Sequence, residues 1–402
     1  MTVRLSTAQI FQQGIDNILA KQADLQKTQE QLASGRRVLN PSDDPIAAVQ
    51  ILDISEDLEL LDQYQRNGST AESQLRLEET VLSDVANVLQ RVRELAVQAN
   101  NATQSVETRN SIATEINARL DELVTLANTR DANGEYIFAG FQGQSQPFNH
   151  NNGQVVYNGD DGQRFLQLAA GTQVAVRDSG SQVFLAVPAG NGSFDITPNA
   201  ANTGTAVVQE STTSGTFIRD SYTVTFNQAS PTDPVTYQVT DSTPAVVATG
   251  NYVSGEAIEF AGARLAIEGQ PADTDSFELN PAPKRDMFST LQAIADSLTG
   301  SGSSPAGVAA VNNAMARGLD NIDQALGRVL EVQADVGVRL NRTENQLNIN
   351  EDFNLQLQEA LSDIQDIDYA EAISRLNLQL TALEAAQKTY ISIQGLSLFN
   401  FL

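Results

Sequence analysis

The stretch from Tyr369 to Tyr390, YAEAISRLNLQLTALEAAQKTY, constrains this chain more than any other. Tyr369, Ile373, Leu376, Leu380, Leu383 and Tyr390 recur at alternating four- and three-residue steps, with Gln387 the one polar member. That period is a coiled-coil seam. No Pro or Gly interrupts it, and Leu, Ala, Gln and Glu favour helix throughout. The seam runs on into Ile391, Ile393, Leu396, Leu398, Phe399, Phe401 and Leu402. So much apolar side chain has to be buried, and one helix cannot bury it alone. The period leaves two outcomes open, a helix docked within a monomer or one packed against other subunits.

A second seam lies near the other end. Phe11, Ile15, Ile18, Gln22, Leu25, Gln29 and Leu32 step by four and three over a helix expected from 6 to 34. Ser34-Gly35 suits a left-handed helix stop. In the following RRVLNPSDDPIAA, Asp44 is placed to cap a helix that starts at Pro45. The adjacent Asp43 and Asp44 are accounted for by capping rather than by a metal or acid/base site. A helix is expected from Pro45 to about Asn67 and another from about Thr70 to Asn101. The second carries a broad apolar stripe that includes Val81, Leu82, Val85, Leu89, Val92 and Leu95, as a bundle helix would. A further helix bears Ile112, Ile116, Leu120 and Leu123 and ends at the Asn133-Gly134 turn signal.

From 135 to 285 the texture changes to Gly, Thr, Asn, Ser and Val. SYTVTFN, TYQVT, AIEF and ARLAIEG read as short strands. YNGDDGQR at 157–164 has the look of a calcium loop, but it lacks the alternating ligand spacing and distal Glu, so a tight turn is expected. Helix returns at Asp286. After a GSGSSPAG turn, a long helix carries Leu319, Ile322, Leu326, Val329, Val336, Leu340 and Leu347 through to Leu361.

The fold class expected is therefore α+β, with helices at both ends and a β-rich insert between them. Five segments follow: 1–40 and 363–402 as the two halves of a coiled-coil part, 41–134 and 286–362 as the two halves of a helical rod, and 135–285 as the inserted outer domain.

Composition narrows the chemistry. Over 402 residues the formal net charge is −26, which disfavours nucleic acid and anionic membrane as partners. There is no Cys, and His150 is the one His. Cysteine nucleophiles and Cys/His zinc sites are thereby excluded, and no catalytic, cofactor or metal residues are assigned. His150 is read as a solvated loop residue without an evident partner. Residues 1–20 lack the continuous apolar run of a cleaved secretion signal, and no segment is apolar enough to span a membrane.

The order of several segments resembles the flagellin superfamily, specifically its hook-associated members that join hook to filament. They are RLSTAQIFQQGIDNI at 4–18, QLASGRRVLNPSDDPIAA at 31–48, RVRELAVQANNAT at 91–103, ANGEYIFAGFQGQSQPF at 132–148, YNGDDGQR at 157–164, ADVGVRLNRTENQL at 334–347 and DYAEAISRLNLQLTALEAAQKTYISIQGLSLFNFL at 368–402. The resemblance covers somewhat over half the chain, and 165–280 lies outside it. It implies a flagellin-like fold and a structural, non-enzymatic role in a ring of identical subunits. The ring would have a neighbouring hook-associated protein on the hook side and flagellin on the filament side. It also implies export through the flagellar type III apparatus, assisted by a chaperone at the C-terminal region. The subunit-interface residues expected are Phe11, Ile15, Ile18, Leu25, Leu32, Ile373, Leu376, Leu380, Leu383, Tyr390, Ile393, Leu396, Leu398 and Phe399. Flagellin itself, or a secreted adhesin or enzyme on a flagellin-like frame, are the competing readings. The ANGEYIFAGFQ block and the LSLFNFL ending favour the junction protein. Within one subunit, Leu25 and Leu32 are expected against Leu376, Leu380 or Leu383, and 165–280 is expected to be dispensable for assembly.

Overall fold

The computed structural model describes residues 7–101, 104–151, 154–230, 232–300 and 304–395. The chain divides into two compact units, one made of 1–66 with 346–402 and the other of 67–345. The described residues form six α-helices: α1 (Thr7–Ser34), α2 (Pro45–Ala99), α3 (Val106–Ala127), α4 (Met287–Thr299), α5 (Pro305–Gln365) and α6 (Tyr369–Gly395). The long helices α2 and α5 each contribute to both units.

In the terminal unit, α1 and α6 pack as an antiparallel pair. At one end the two chain segments leading into and out of the pair bond directly. The Arg36 and Asp366 backbones form an isolated antiparallel β-bridge, the Arg37 N–H donates to the Gln365 carbonyl at 2.7 Å, and the Ile367 N–H donates to the Gly35 carbonyl at 3.0 Å. Gly35 has φ 71°, the left-handed stop expected at Ser34-Gly35. At the other end the Phe11 and Tyr390 rings meet edge to face at 6.2 Å. Gly14 admits that ring: a Cβ there would come within 2.9 Å of Tyr390. Asp44 caps α2 by accepting from the Ala47 N–H at 3.1 Å, and Asp368 caps α6 by accepting from the Glu371 N–H at 3.1 Å.

The sequence points to two helices over 45–101, whereas the structure has one. Asn67-Gly68 is not a turn, because the Asn67 side-chain amide donates to the Gln167 carbonyl at 2.9 Å and Gly68 is buried in the helix. An interior Gly costs about 1 kcal/mol relative to Ala. The apolar stripe that follows Gly68 outweighs that several-fold.

In the central unit, α2, α3, α4 and the first part of α5 share one core with Leu82, Leu89, Ile116, Leu291 and Val329 inside it. The strands that come first in the chain join this core. They are β1 (Phe148–Asn151), β2 (Gln154–Tyr157), β3 (Phe165–Ala169), β4 (Thr172–Ala175) and β5 (Val187–Pro188), with a π-helical turn at Ser181–Leu185. Phe138, Phe148, Phe184 and Phe288 stack there with centroids 5.1–5.7 Å apart.

A second core, containing Phe194, Val224, Phe226, Leu265 and Phe277, belongs to the later strands. These are β6 (Phe194–Pro198), β7 (Val207–Thr213), β8 (Tyr222–Asn227), β9 (Thr236–Thr240), β10 (Val246–Asn251), β11 (Ala257–Phe260), β12 (Ala263–Glu268) and β13 (Ser276–Pro281), while β14 (Lys284–Arg285) returns to pair with β5. They form a five-stranded sheet in the order β10-β9-β8-β13-β6 and a three-stranded sheet β11-β12-β7. The strand readings of SYTVTFN, TYQVT, AIEF and ARLAIEG correspond to β8, β9, β11 and β12. Three α5 side chains tie this lobe to the helices. Arg317 pairs with Asp195 at 2.8 Å, Asn313 accepts from the Val208 N–H at 2.9 Å, and Asn321 accepts from the Gly190 N–H at 2.7 Å. The 135–285 stretch is thus split, its first part buried among helices and its second part folded on its own core.

Candidate subunit-interface surface

The inner stripes of the α1–α6 pair follow a phase of their own. On α6 the positions turned inward are Ala372, Leu376, Gln379, Leu383, Ala386 and Tyr390, and on α1 they are Phe11, Gly14, Ile18, Leu25, Thr28, Gln31 and Leu32. Small residues at Gly14, Ala372 and Ala386 let the helices approach. Interpolating between the Phe11–Tyr390 and Gly35–Tyr369 contacts sets Ile18 level with Leu383, Leu25 level with Leu376, and Leu32 near Ala372. Gln22 and Gln29 are exposed, so the polar members inside the pair are Thr28, Gln31 and Gln379 instead. Thr28 donates to the Asp24 carbonyl at 3.0 Å and Gln31 to the Arg37 carbonyl at 2.6 Å, which satisfies both within α1 and its exit.

This phase leaves large apolar side chains facing out. Of the residues singled out from sequence, Phe11, Ile18, Leu25, Leu32, Leu376, Leu383 and Tyr390 are half-buried, while Ile15, Ile373 and Leu380 are exposed, the last two at 49% and 40%. Ile393 lies in α6 but its side chain, with Leu396, Leu398 and Phe399, is outside the described residues. Ile391, read from sequence as part of the seam's apolar continuation, is exposed, and sequence reasoning missed further members: Leu19 on α1, Leu378 (73% exposed) on α6, Ile46 (75%), Val49 and Leu52 on α2, and Ile349, Phe353 and Leu355 on α5. The signal was present, since each of these helices carries more apolar residues than one 4–3 stripe uses.

The loop between α1 and α2 is held by charge. Lys27 lies 2.8 Å from Asp43, and this contact first, then the Asn40 and Leu39 N–H groups, holds the Asp43 carboxyl below its ordinary range. The Ala47 N–H does the same for Asp44, with Arg37 adding to it. Both carboxylates are engaged in turn and cap, as the sequence reading has it.

Among the described residues no group of three or more His, Asp or Glu side chains could hold a metal ion. The YNGDDGQR segment is a turn: Asp160 accepts from the Phe141 and Gly162 N–H groups at 2.9 and 2.7 Å. His150 sits on β1, with Nδ1 3.3 Å from Asp121, so the reading of a partnerless loop His is corrected. The alternation of β1 could not reveal an acid on α3. A cavity of about 650 Å3 between α3, β2 and α4 of the central unit is lined by residues that include Leu120, Val155, Phe288, Ser289, Asp286 and Asp296. The Ser289 hydroxyl in its lining donates to the Asp286 backbone carbonyl at 3.1 Å rather than to a carboxylate. No helix among the described residues is long and apolar enough to cross a membrane.

Comparison with known proteins bears on this surface. Residues 5–143 match the bacterial flagellin N-terminal helical region and residues 319–402 match the bacterial flagellin C-terminal helical region. The flagellar hook-associated protein 3 of Escherichia coli K12 is 29% identical over 398 residues, covering 99% of each chain. The crystal structure of the flagellar junction protein FlgL from Legionella pneumophila is 36% identical with a TM-score of 0.72, covering 79% of this chain and all of that one. Flagellin of E. coli K12, by contrast, aligns over 31% of this chain and 25% of its own length, at 35% identity. A structural component of the bacterial flagellum accounts for the unsatisfied helical surface and for the lack of a reaction centre among the described residues, and the chain belongs to the flagellar hook-associated protein 3 (FlgL) family of the flagellin superfamily.

Proposed function

We propose that this protein forms the junction ring between hook and filament, contacting a neighbouring hook-associated protein on one side and flagellin on the other. The observation that carries the reading is the outward apolar face of the terminal unit: Ile373, Leu378 and Leu380 on α6 with Ile46, Val49 and Leu52 on α2. Large apolar side chains exposed in this number mark contact with other proteins. In the finished ring 1–40 and 363–402 form the inner layer, 41–134 and 286–362 the rod, and the later strands of the 135–285 insert the outer surface. The names of the E. coli and Legionella relatives support the same placement.

Before assembly the same face is an aggregation hazard. Export through the flagellar type III apparatus without a cleaved signal, with a chaperone holding the C-terminal region until transit, meets that hazard. An amphipathic helix such as α6 suits an apolar groove on such a partner.

Leu380→Asp tests the interface. An exposed position tolerates Asp in the monomer, whereas burial of an unpaired carboxylate between subunits is strongly unfavourable. Cells carrying only this variant should export it, fail to build filaments and be non-motile. Normal motility would sink the reading. Removing residues from about 363 onward should abolish chaperone binding, and undiminished affinity would put the chaperone site elsewhere.

A further inference from the structure

The buried stripe of α2 in the central unit runs Ala71, Leu75, Glu78, Leu82, Val85, Leu89, Val92, Ala96 and Ala99 at unbroken four- and three-residue steps, and every member is buried. Glu78 is therefore a carboxyl at a core position. It is 1% exposed. Its Oε1 accepts from the Asp178 N–H at 3.1 Å, and its Oε2 has no hydrogen-bond partner among the described residues.

Seven charged side chains converge here from α2, α5, the segment after α3 and the segments flanking β3 and β4. Arg177 lies 2.5 Å from Asp131 and 3.0 Å from Glu135. Arg164 lies 2.6 Å from Glu135. Arg339 of α5 pairs with Asp178 and also donates to the Ala175 carbonyl at 3.3 Å. Gln163 donates to the other Asp178 oxygen at 2.8 Å. Three guanidiniums are thus matched by three carboxylates, Asp131, Glu135 and Asp178. Glu78 is the fourth acid, and among the described residues no cation lies within ion-pair distance of it. Charge closes only if Glu78 carries a proton.

We propose that Glu78 is a proton-held latch, neutral while segment 175–180 is seated between α2 and α5, and that loss of its proton in mildly alkaline solution unseats that segment. Ionised, Glu78 would compete with Asp178 for Arg339 at a site with no second guanidinium to spare. Val176, Arg177, Asp178 and Ser179 are all buried, so the segment cannot relax without opening the joint. Burial first, then the Asp178 carboxylate, pushes the Glu78 pKa from 4.5 to about 8, against the opposing pull of Arg339 and Arg177. The sign follows directly. Between these two values the native state holds a proton that the unfolded chain has lost, so stability falls as pH rises through that window and is level beyond it.

The test compares the full-length protein with Glu78→Gln, whose side-chain oxygen keeps the Asp178 N–H bond without a titrating group. The melting temperature of the variant should match the parent near pH 4 and exceed it increasingly up to about pH 9, with the folding constant favoured by up to on the order of a thousandfold. Exchange of the 175–180 amides, taken as the ratio of parent to variant, should rise over the same window. A gap in melting temperature that is constant with pH, or a ratio that does not change, overturns the proposal. Infrared spectroscopy of the parent alone gives an independent reading should the variant not fold. A protonated-carboxyl band present at about pH 7 and lost by about pH 9 is expected, and its absence at neutral pH overturns the proposal.

Discussion

Both units are built on helices with 4–3 apolar periodicity, yet they use it to opposite ends. In the central unit the stripe of α2 is closed on every side: Leu75, Leu82 and Leu89 are fully buried, and α3, α4, α5 and the early strands supply the neighbours. In the terminal unit the inner stripes of α1 and α6 are mostly half-buried and larger apolar residues point away from the partner helix. The same sequence period thus yields a finished core in one place and half of a core in the other. What differs is the number of layers available. Helical stability in proteins comes chiefly from packing of an apolar face, so on the proposed reading the terminal unit would draw on neighbours that the central unit does not need.

The largest effect should come from cutting the insert at the wrong place. Deleting 165–280 removes Leu168, Val174, Val176, Val183 and Phe184 from the helical core. Truncation of a buried Phe alone costs about 3–5 kcal/mol, so the central unit should fail to fold by circular dichroism. Deleting 194–281, which carries its own core, should leave a folded helical core. Equal behaviour of the two deletions would erase the distinction between early and late strands.

Next in size, Leu89→Ala should lower the stability of the central unit by about 2–5 kcal/mol in denaturant unfolding, the usual cost of a large-to-small change in a closed core. Leu378→Ala in the terminal unit should stay within about 0.5 kcal/mol for the isolated protein. A comparable loss at both positions would mean that the outer face of α6 is already packed.

Gly14→Ala sharpens the comparison inside the terminal unit. Its Cβ would press on the Tyr390 ring, and that half-buried ring can tilt. A loss of about 1 kcal/mol or less is expected, visible as faster amide exchange in α1 and α6 with no change in α2 beyond Leu75.

The smallest effect concerns acid. The Asp43 and Asp44 carboxyls are held below their ordinary range by Lys27 and the Ala47 N–H respectively. A depressed carboxyl pKa gives stability that is present above the unfolded value, roughly pH 4, and is lost as pH falls through the folded value. The α1–α2 loop should therefore loosen below about pH 4, Asp43→Asn should reduce that dependence, and Asp43→Asn with Asp44→Asn should abolish it. Nuclear magnetic resonance of the loop amides would detect it, and a dependence that survives in the double variant would point to other carboxylates.

Much of the fold is legible in the sequence because it is written in local signals. The helix stop at Gly35, the cap at Asp44, the span of α5 and the alternation of β8 and β9 all lie within a few residues of their cause. What is not legible depends on distant partners. Asn67-Gly68 reads as a break until Gln167 is seen to occupy the Asn67 amide. Nothing local to Glu78 marks it as a core position, which the placing of Asp178 and Arg339 beside it reveals. The phase of the α6 seam is the instructive case. Ile373, Leu376, Leu380 and Leu383 form one valid stripe, Ala372, Leu376, Gln379 and Leu383 another, and periodicity alone ranks the larger residues first. Close approach to α1 favours the smaller set, which turns Ile373 and Leu380 outward, to where a subunit interface would need them.

Amide hydrogen exchange on the isolated full-length protein tests most directly whether the terminal unit is incomplete by itself. Protection in α1 and α6 is expected to be far weaker than in α2 from Leu75 to Ala99, by several orders of magnitude where the latter exchanges through global unfolding. Assembly should raise the protection of α1 and α6. Equal protection of the terminal pair and the central helices in the monomer would contradict the account.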